Sequence, residues 1–225
     1  RKAAEQGLAG AQFSLGVMYT EGKGVIEDDA EAVKWYRKAA EQGDADAQNN
    51  LGVMYEEGRG VIEDYVEAVK WYRKAAEQGD ENAQNNLGAM YDGGRGVIED
   101  DVEAVKWYRK AAEQGLAAAQ YNLGNMHREG KGVIEDDAEA VKWYRKAAEQ
   151  GNAGAQYNLA SMYGQGEGVI EDSVYAHMWL NIAASEGDEE ARSTKERLIK
   201  QMTPDEISKA QALARECVRQ NYENC

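Results

Sequence analysis

Val66–Gly79 reads VEAVKWYRKAAEQG, and the same fourteen residues return at Val102–Gly115. AEAVKWYRKAAEQG stands at Ala30–Gly43 and again at Ala138–Gly151. The tryptophan of this stretch recurs as Trp35, Trp71, Trp107, Trp143 and Trp179, a spacing of 36 residues. A fixed period of that size marks stacked copies of one supersecondary unit, each too small to bury its own apolar face.

Counted from Gly7, five units run 7–42, 43–78, 79–114, 115–150 and 151–186, after a remnant at 1–6. The opening RKAAEQG reads as the tail of an earlier repeat, so residue 1 is expected to be a boundary and any export signal to lie upstream. Each unit carries two helical patterns around a glycine-bearing turn. In unit one, Ala11, Leu15 and Met18 share one face of the first helix, flanked by Gly16 and Tyr19. Glycine returns at Gly52, Gly88 and Gly124 despite costing roughly 1 kcal/mol in a helix, which points to close approach of the neighbouring helix. Ala160 takes that place in unit five.

Gly22 and Gly24 can supply the left-handed backbone that turns the chain back, and Asp28 or Asp29 then caps the second helix. Ala32, Val33, Trp35, Tyr36, Ala39 and Ala40 make its apolar sector. Glu31, Lys34, Arg37, Lys38 and Glu41 make a solvated face, with Glu31–Lys34 and Arg37–Glu41 at helical pair spacing. No strand pattern occurs. The expectation is an all-α fold: a right-handed α-solenoid of antiparallel helix pairs.

The complete pattern is Ala-x-x-x-Leu-Gly-x-x-Tyr, Gly-x-Gly-Val, then Ala-x-x-Trp-Tyr-x-x-Ala-Ala. Unit two shows it as Ala47, Leu51, Gly52, Tyr55, Gly58, Gly60, Val61, Ala68, Trp71, Tyr72, Ala75 and Ala76. It resembles the Sel-1-like repeats, a variant of the tetratricopeptide-like solenoids, over residues 7–186. The resemblance implies a bacterial protein-binding scaffold whose first helices line a concave groove. It also favours an extracytoplasmic location, periplasmic or secreted, over the cytoplasm.

Unit five departs from the frame. Tyr175, Met178 and Ile182 replace charged outer-face positions, so an apolar stripe needs a cover or a partner. Thr203-Pro204-Asp205-Glu206 starts a helix, with an N-cap, proline at N1 and glutamate at N3. Residues 187–225 are therefore expected to hold a degenerate first helix (188–202) and a capping helix (204–220). Its stripe would be Ile207, Ala210, Leu213, Ala214, Cys217 and Val218. Cys217 reads as a buried thiol. A bridge to Cys225 needs the helix to end first, because eight helical residues span about 12 Å. The five units lack the paired cysteines that link helical hairpins in exported members of the resembled family.

The 41 acidic against 26 basic residues give a net charge of −15, which disfavours nucleic acid and anionic membranes. No apolar run approaches the ~20 residues of a membrane span. His127 stands in a tyrosine slot and His177 in the slot of Val33, so both read as packing substitutions. The Gly-x-Gly turns follow helices, not strands, and lack a third glycine. The Ile-Glu-Asp steps read as helix caps because they miss calcium-loop spacing. No nucleophile–base arrangement suggests an enzyme, such as a hydrolase, and no cofactor or metal is expected.

Variation against the constant frame locates the candidate site. Position 13 of the unit reads Phe13, Asn49, Asn85, Tyr121, Tyr157; position 17 reads Val17, Val53, Ala89, Asn125, Ser161; position 20 reads Thr20, Glu56, Asp92, Arg128, Gly164. These positions are expected opposite the core stripe, where the resemblance implies the groove. Aromatics and amides there suit peptide recognition. Asn50, Asn86, Asn122 and Asn158 form a parallel ladder. The resemblance implies that these asparagines hold an extended peptide backbone, and an equally available reading is that they satisfy groups between hairpins. The expected molecule is a monomer that binds a protein or extended peptide. The alternative is a structural spacer or regulatory module.

Overall fold

The computed structural model describes residues 1–222 and 225 and, among the described residues, contains thirteen helices and no strand. They are α1 (Lys2–Glu5), α2 (Ala9–Glu21), α3 (Asp29–Glu41), α4 (Ala45–Glu57), α5 (Tyr65–Glu77), α6 (Glu81–Asp92), α7 (Asp101–Glu113), α8 (Ala117–Glu129), α9 (Asp137–Ala148), α10 (Ala153–Gln165), α11 (Ser173–Ser185), α12 (Glu189–Ile199) and α13 (Pro204–Arg219). The chain forms two compact units, Arg1–Ala111 and Ala112–Cys225.

Within each unit the local chemistry starts and stops the helices as the repeat requires. The Asp28 carboxylate accepts the Glu31 amide at 2.9 Å, and Asp44 accepts that of Ala47 at 2.9 Å. Gly22 and Gly58 close α2 and α4 in the left-handed region, at φ 66° and 67°. The second turn glycine has a further duty. A Cβ on Gly60, which sits at φ 67°, would lie 2.3 Å from the Asp29 carbonyl oxygen, so the turn of one repeat lies directly on the start of the preceding second helix. Arg59 fixes the same junction with two hydrogen bonds to Asp29, at 2.9 and 3.2 Å.

The second helices bury the sector expected of them: Ala32, Val33, Trp35, Tyr36, Ala39 and Ala40 in α3, with the corresponding residues of α5. Lys38 and Lys74 fold over the tryptophans, each ammonium 4.1 Å from the ring centroid. This contact covers the face of the indole while the charge stays in water. Glu31–Lys34 pairs at 2.5 Å. Arg37 differs from expectation: it donates to the Tyr55 hydroxyl of the next repeat instead of pairing along its own helix with Glu41. Arg73 does the same to Tyr91 at 2.6 Å.

The glycine within each first helix accommodates a tyrosine ring. A Cβ on Gly52 would sit 2.6 Å from both Cδ1 and Cε1 of Tyr72, and Gly124 stands in the same relation to Tyr144 at 2.7 Å. In α11 the tyrosine is replaced by Leu180, and the facing residue is Ala160. The alanine that breaks the glycine series is the partner of the leucine that breaks the tyrosine series.

A buried glutamine rung joins successive repeats. Gln48 donates to the Ala40 carbonyl at 2.9 Å and accepts from Gln78 at 2.7 Å. Gln120 donates to Ala112 at 3.1 Å and accepts from Gln150 at 2.8 Å. Gln156 is fully buried, and its carbonyl oxygen has no donor. The residue one repeat on from Gln150 is Glu186, whose carboxylate can only accept.

At the C-terminal end, Met178 and Ile182 are each 1% exposed and cluster with Ala214 and Cys217 of α13, while Tyr175 and Leu213 pack against that cluster. Thr203 and Glu206 form a reciprocal capping box, with Pro204 in the first turn. Two expectations fail here. Cys217 is not a buried free thiol: it forms a disulfide with Cys225, at a Cα–Cα distance of 5.4 Å. The physical reason is that α13 ends at Arg219 and the chain then turns through left-handed Asn221 and Tyr222, at φ 54° and 67°. The Tyr222 hydroxyl donates to Glu186 at 2.5 Å, which anchors the turn. Val218 lies off the buried stripe and is 49% exposed.

Candidate functional site

The variable residues of the first helices are half-buried, not set clear of the core. In the first unit Phe13 packs against the cluster around Leu51, its ring 5.9 Å from that of Tyr36. Asn49, Asn50, Asn85 and Asn86 are likewise half-buried. The Asn86 amide donates to Asn49 at 3.1 Å, so the ladder is linked to position 13 of the preceding repeat. In the second unit Tyr121 packs 6.0 Å from Tyr144 and covers Gly154, where a Cβ would lie 3.1 Å from the ring. Asn125 accepts from the Tyr144 hydroxyl at 2.6 Å and from Asn158 at 3.3 Å. Asn122 and Arg128 are half-buried alongside, and Tyr157 donates to Glu190 at 3.1 Å.

The expectation that positions 13, 17 and 20 lie opposite the core is thereby corrected. The cause is the tyrosine of the second helix, which passes over the helical glycine and brings its hydroxyl out among them. Thr20 meets the Tyr36 hydroxyl at 3.0 Å, Tyr72 donates to Glu56 at 2.6 Å, and Tyr108 to Asp92 at 3.4 Å. Position 20 thus varies within a constraint: four repeats supply the tyrosine with an oxygen partner there or at position 17. Burial, followed by the Glu56 carboxylate, raises the Tyr72 hydroxyl well above its ordinary pKa. Tyr144 is raised to about 12, mainly by burial. Both phenols are neutral hydrogen-bonding groups at physiological pH.

The fifth repeat lacks this pairing. Gly164 occupies position 20 and Leu180 the tyrosine slot, and a cavity of 480 Å³ opens between α10, α11 and α12 beside Tyr157. No single residue marks this cavity in the sequence, although the simultaneous loss of the tyrosine and its partner is visible in the aligned repeats. The glutamine rungs were a second unrecognised signal, recurring as Gln12, Gln48, Gln84, Gln120 and Gln156.

The two histidines serve packing. His127 and His177 are buried, at 8% and 1% exposure. Neither ring nitrogen of His177 has a hydrogen-bond partner, and burial, with a smaller effect from Lys195, holds its pKa below the ordinary histidine value. Among the described residues no group of three His, Cys, Asp or Glu side chains could hold a metal, and no helix is long and apolar enough to cross a membrane. The turn of every repeat exposes an isoleucine: Ile26, Ile62, Ile98, Ile134 and Ile170 are 88–90% exposed.

The Sel1 repeat model matches residues 9–44, 45–80, 82–116, 117–152 and 153–188. Among solved structures, the chain is similar to c5321, a protective antigen of uropathogenic Escherichia coli strains displaying an SLR fold. Identity is 42% over 99% of this chain and 48% of that one, with a TM-score of 0.87. The chain therefore spans about half the length of that relative. A Sel1 repeat protein from Oxalobacter formigenes is 39% identical over 94% of this chain and 89% of its own, with a TM-score of 0.80. Immunity protein Pa5087 from Pseudomonas aeruginosa shares the fold alone, at 22% identity over 95% of this chain and 80% of its own, with a TM-score of 0.55. No curated protein matches. Five matched repeats, together with the helix pairs and their glycine–tyrosine contacts, establish that the chain belongs to the Sel1 repeat family.

Proposed function

We propose that the chain is a non-catalytic scaffold that binds a peptide segment or protein surface along the variable faces of its first helices. Members of the family are typically protein–protein interaction modules. The observation that carries the reading is the concentration of variation at half-exposed aromatic and amide side chains, Phe13, Asn49, Asn85, Tyr121 and Tyr157, within an otherwise repeated frame. Such side chains combine large, rigid contact area with hydrogen bonding to a peptide backbone. The framework beneath them is held by the tyrosine hydroxyls and glutamine rungs, so a partner would meet ordered groups and lose less entropy on binding.

The disulfide between Cys217 and Cys225 supports an oxidising compartment, and with it an extracytoplasmic location. The chain is read as a monomer. Affinity for a partner captured on the intact chain, measured for Phe13→Ala, Tyr121→Ala and Tyr157→Ala, tests the proposal. Losses of tenfold or more at two of the three sites would support it, since interface anchors of this kind are worth about 1–3 kcal/mol. Unchanged affinity at all three would place the partner elsewhere, and a pure spacer would yield no stoichiometric partner.

A further inference from the structure

The fifth repeat replaces three residues that the other four use together. Leu180 stands for the buried tyrosine, Gly164 for the residue at position 20, and Ala160 for the helical glycine. The leucine fills less of the space above α10 than the tyrosine does in its own repeat, and Gly164 has no side chain to close the opening. The result is the 480 Å³ cavity between α10, α11 and α12, within the usual range for ligand pockets, roughly 300–1,000 Å³.

Its chemistry is divided. Ala160, Ala176, Leu180 and Leu198 give an apolar floor, and the Tyr157 ring gives one wall. The mouth carries Ser161, Gln165, Thr194 and Gln201, together with Arg197, the one charged residue lining the cavity among the described residues. Thr194 accepts an Arg197 N–H at 2.9 Å, which ties the guanidinium to a residue of the mouth and uses one of its five donors. In a chain of net charge −15, a pocket lined by Arg197, with the Glu190 carboxylate at its edge already engaged by the Tyr157 hydroxyl, selects for a negative group.

An internal peptide residue would offer the apolar floor a side chain but would bring Arg197 a carboxylate only where an acidic residue stands beside it. A C-terminal residue fits both halves at once, because its side chain and its carboxylate leave the same Cα. We propose that this pocket receives the C-terminal residue of a peptide, an aliphatic or aromatic side chain on the floor with the terminal carboxylate at Arg197. The inference rests on the groove reading above and names the feature of the partner that this part of it recognises.

The test is a titration of the isotopically labelled chain with N-acetyl-leucine and with N-acetyl-leucinamide, followed by NMR at the amides of Gly164 and Gln165. The acid is expected to bind at least fivefold more tightly than the amide, and Arg197→Gln to reduce the acid to the affinity of the amide. Ala160→Gly combined with Leu180→Tyr restores the glycine–tyrosine pair of the other repeats, with Ser161 where Asn125 accepts the Tyr144 hydroxyl. That variant is expected to fold, fill the cavity and abolish binding.

Equal affinity of acid and amide, absence of saturable shifts at Gly164 and Gln165, or binding undiminished by the restored tyrosine would each overturn the inference. Arg197 lies exposed at the mouth, so its substitution decides the carboxylate question even if the double variant does not fold. Failure here leaves the groove reading separately decidable, because Phe13→Ala and Tyr121→Ala alter residues outside the pocket.

Discussion

The glycine–tyrosine contact makes a quantitative prediction through Gly52→Ala. A methyl group at this position would be built 2.6 Å from two carbons of the Tyr72 ring, and 3.2 Å from a third. Ordinary carbon contacts are about 3.5–4.0 Å, so the ring must retreat by roughly 1 Å. It has little freedom to do so: Tyr72 is 0% exposed and its hydroxyl is tied to Glu56, which also pairs with Arg95 at 2.9 Å. Overpacking of this kind costs about 1–3 kcal/mol. Replacing a helical glycine by alanine returns about 1 kcal/mol, so the single variant should be destabilised by roughly 0–2 kcal/mol.

In a Tyr72→Leu background the ring is gone, and the same substitution should stabilise by about 1 kcal/mol. The two effects differ by a coupling of about 1–3 kcal/mol, readable from urea unfolding of the four proteins of the cycle. Ala160 with Leu180 is the natural form of the double variant. An equal effect of Gly52→Ala in both backgrounds would refute the argument, since the glycine would then be retained for some reason other than the ring.

Three further outcomes are expected. His177→Val, which installs the residue of the Val33 slot, should stabilise the chain by about 1–3 kcal/mol by removing two unsatisfied buried nitrogens. The folded pKa of His177 is depressed, so the unfolded chain binds more protons, and stability should fall as pH drops below about 6.5. That loss, measured by urea midpoints at pH 7.5 and 5.5, should be smaller in the valine variant; an equal loss would contradict it. Glu186→Gln should add about 0.5–1.5 kcal/mol by giving Gln156 its missing donor, and a lower melting temperature would count against the rung. Cys225→Ser should lower the unfolding free energy read from urea titration by no more than about 2.5 kcal/mol, the chain entropy of so short a loop, and thiol titration of the denatured, unreduced parent should find no free thiol.

The repeat itself was legible because its signals are local. Asp28 caps, Gly22 and Gly24 turn, and the Thr203–Glu206 box starts a helix from adjacent residues. The burial of Met178 and Ile182 could be anticipated because apolar residues stood where the frame carries charge. The remainder depends on groups that meet only after stacking. A glutamine on a helix reads as solvated, and Gln48 becomes a buried rung only when Ala40 and Gln78 arrive beside it. Position 20 reads as free variation until the Tyr72 hydroxyl emerges there. The Cys217–Cys225 bridge needs left-handed backbone at Asn221 and Tyr222, neither of them a glycine, and the anchoring of Tyr222 by Glu186 lies 36 residues away in sequence.

Hydroxyl-radical footprinting of the chain with and without its bound partner tests the proposed binding face most directly. Aromatic and aliphatic side chains both react, so one experiment reports on the first-helix face and on the turn edge. Protection of Phe13, Tyr121 and Tyr157, with Ile26, Ile62, Ile98, Ile134 and Ile170 as reactive as in the free chain, is the predicted result. Protection of the isoleucines with the three aromatics unchanged would contradict the account and move the partner to the turns.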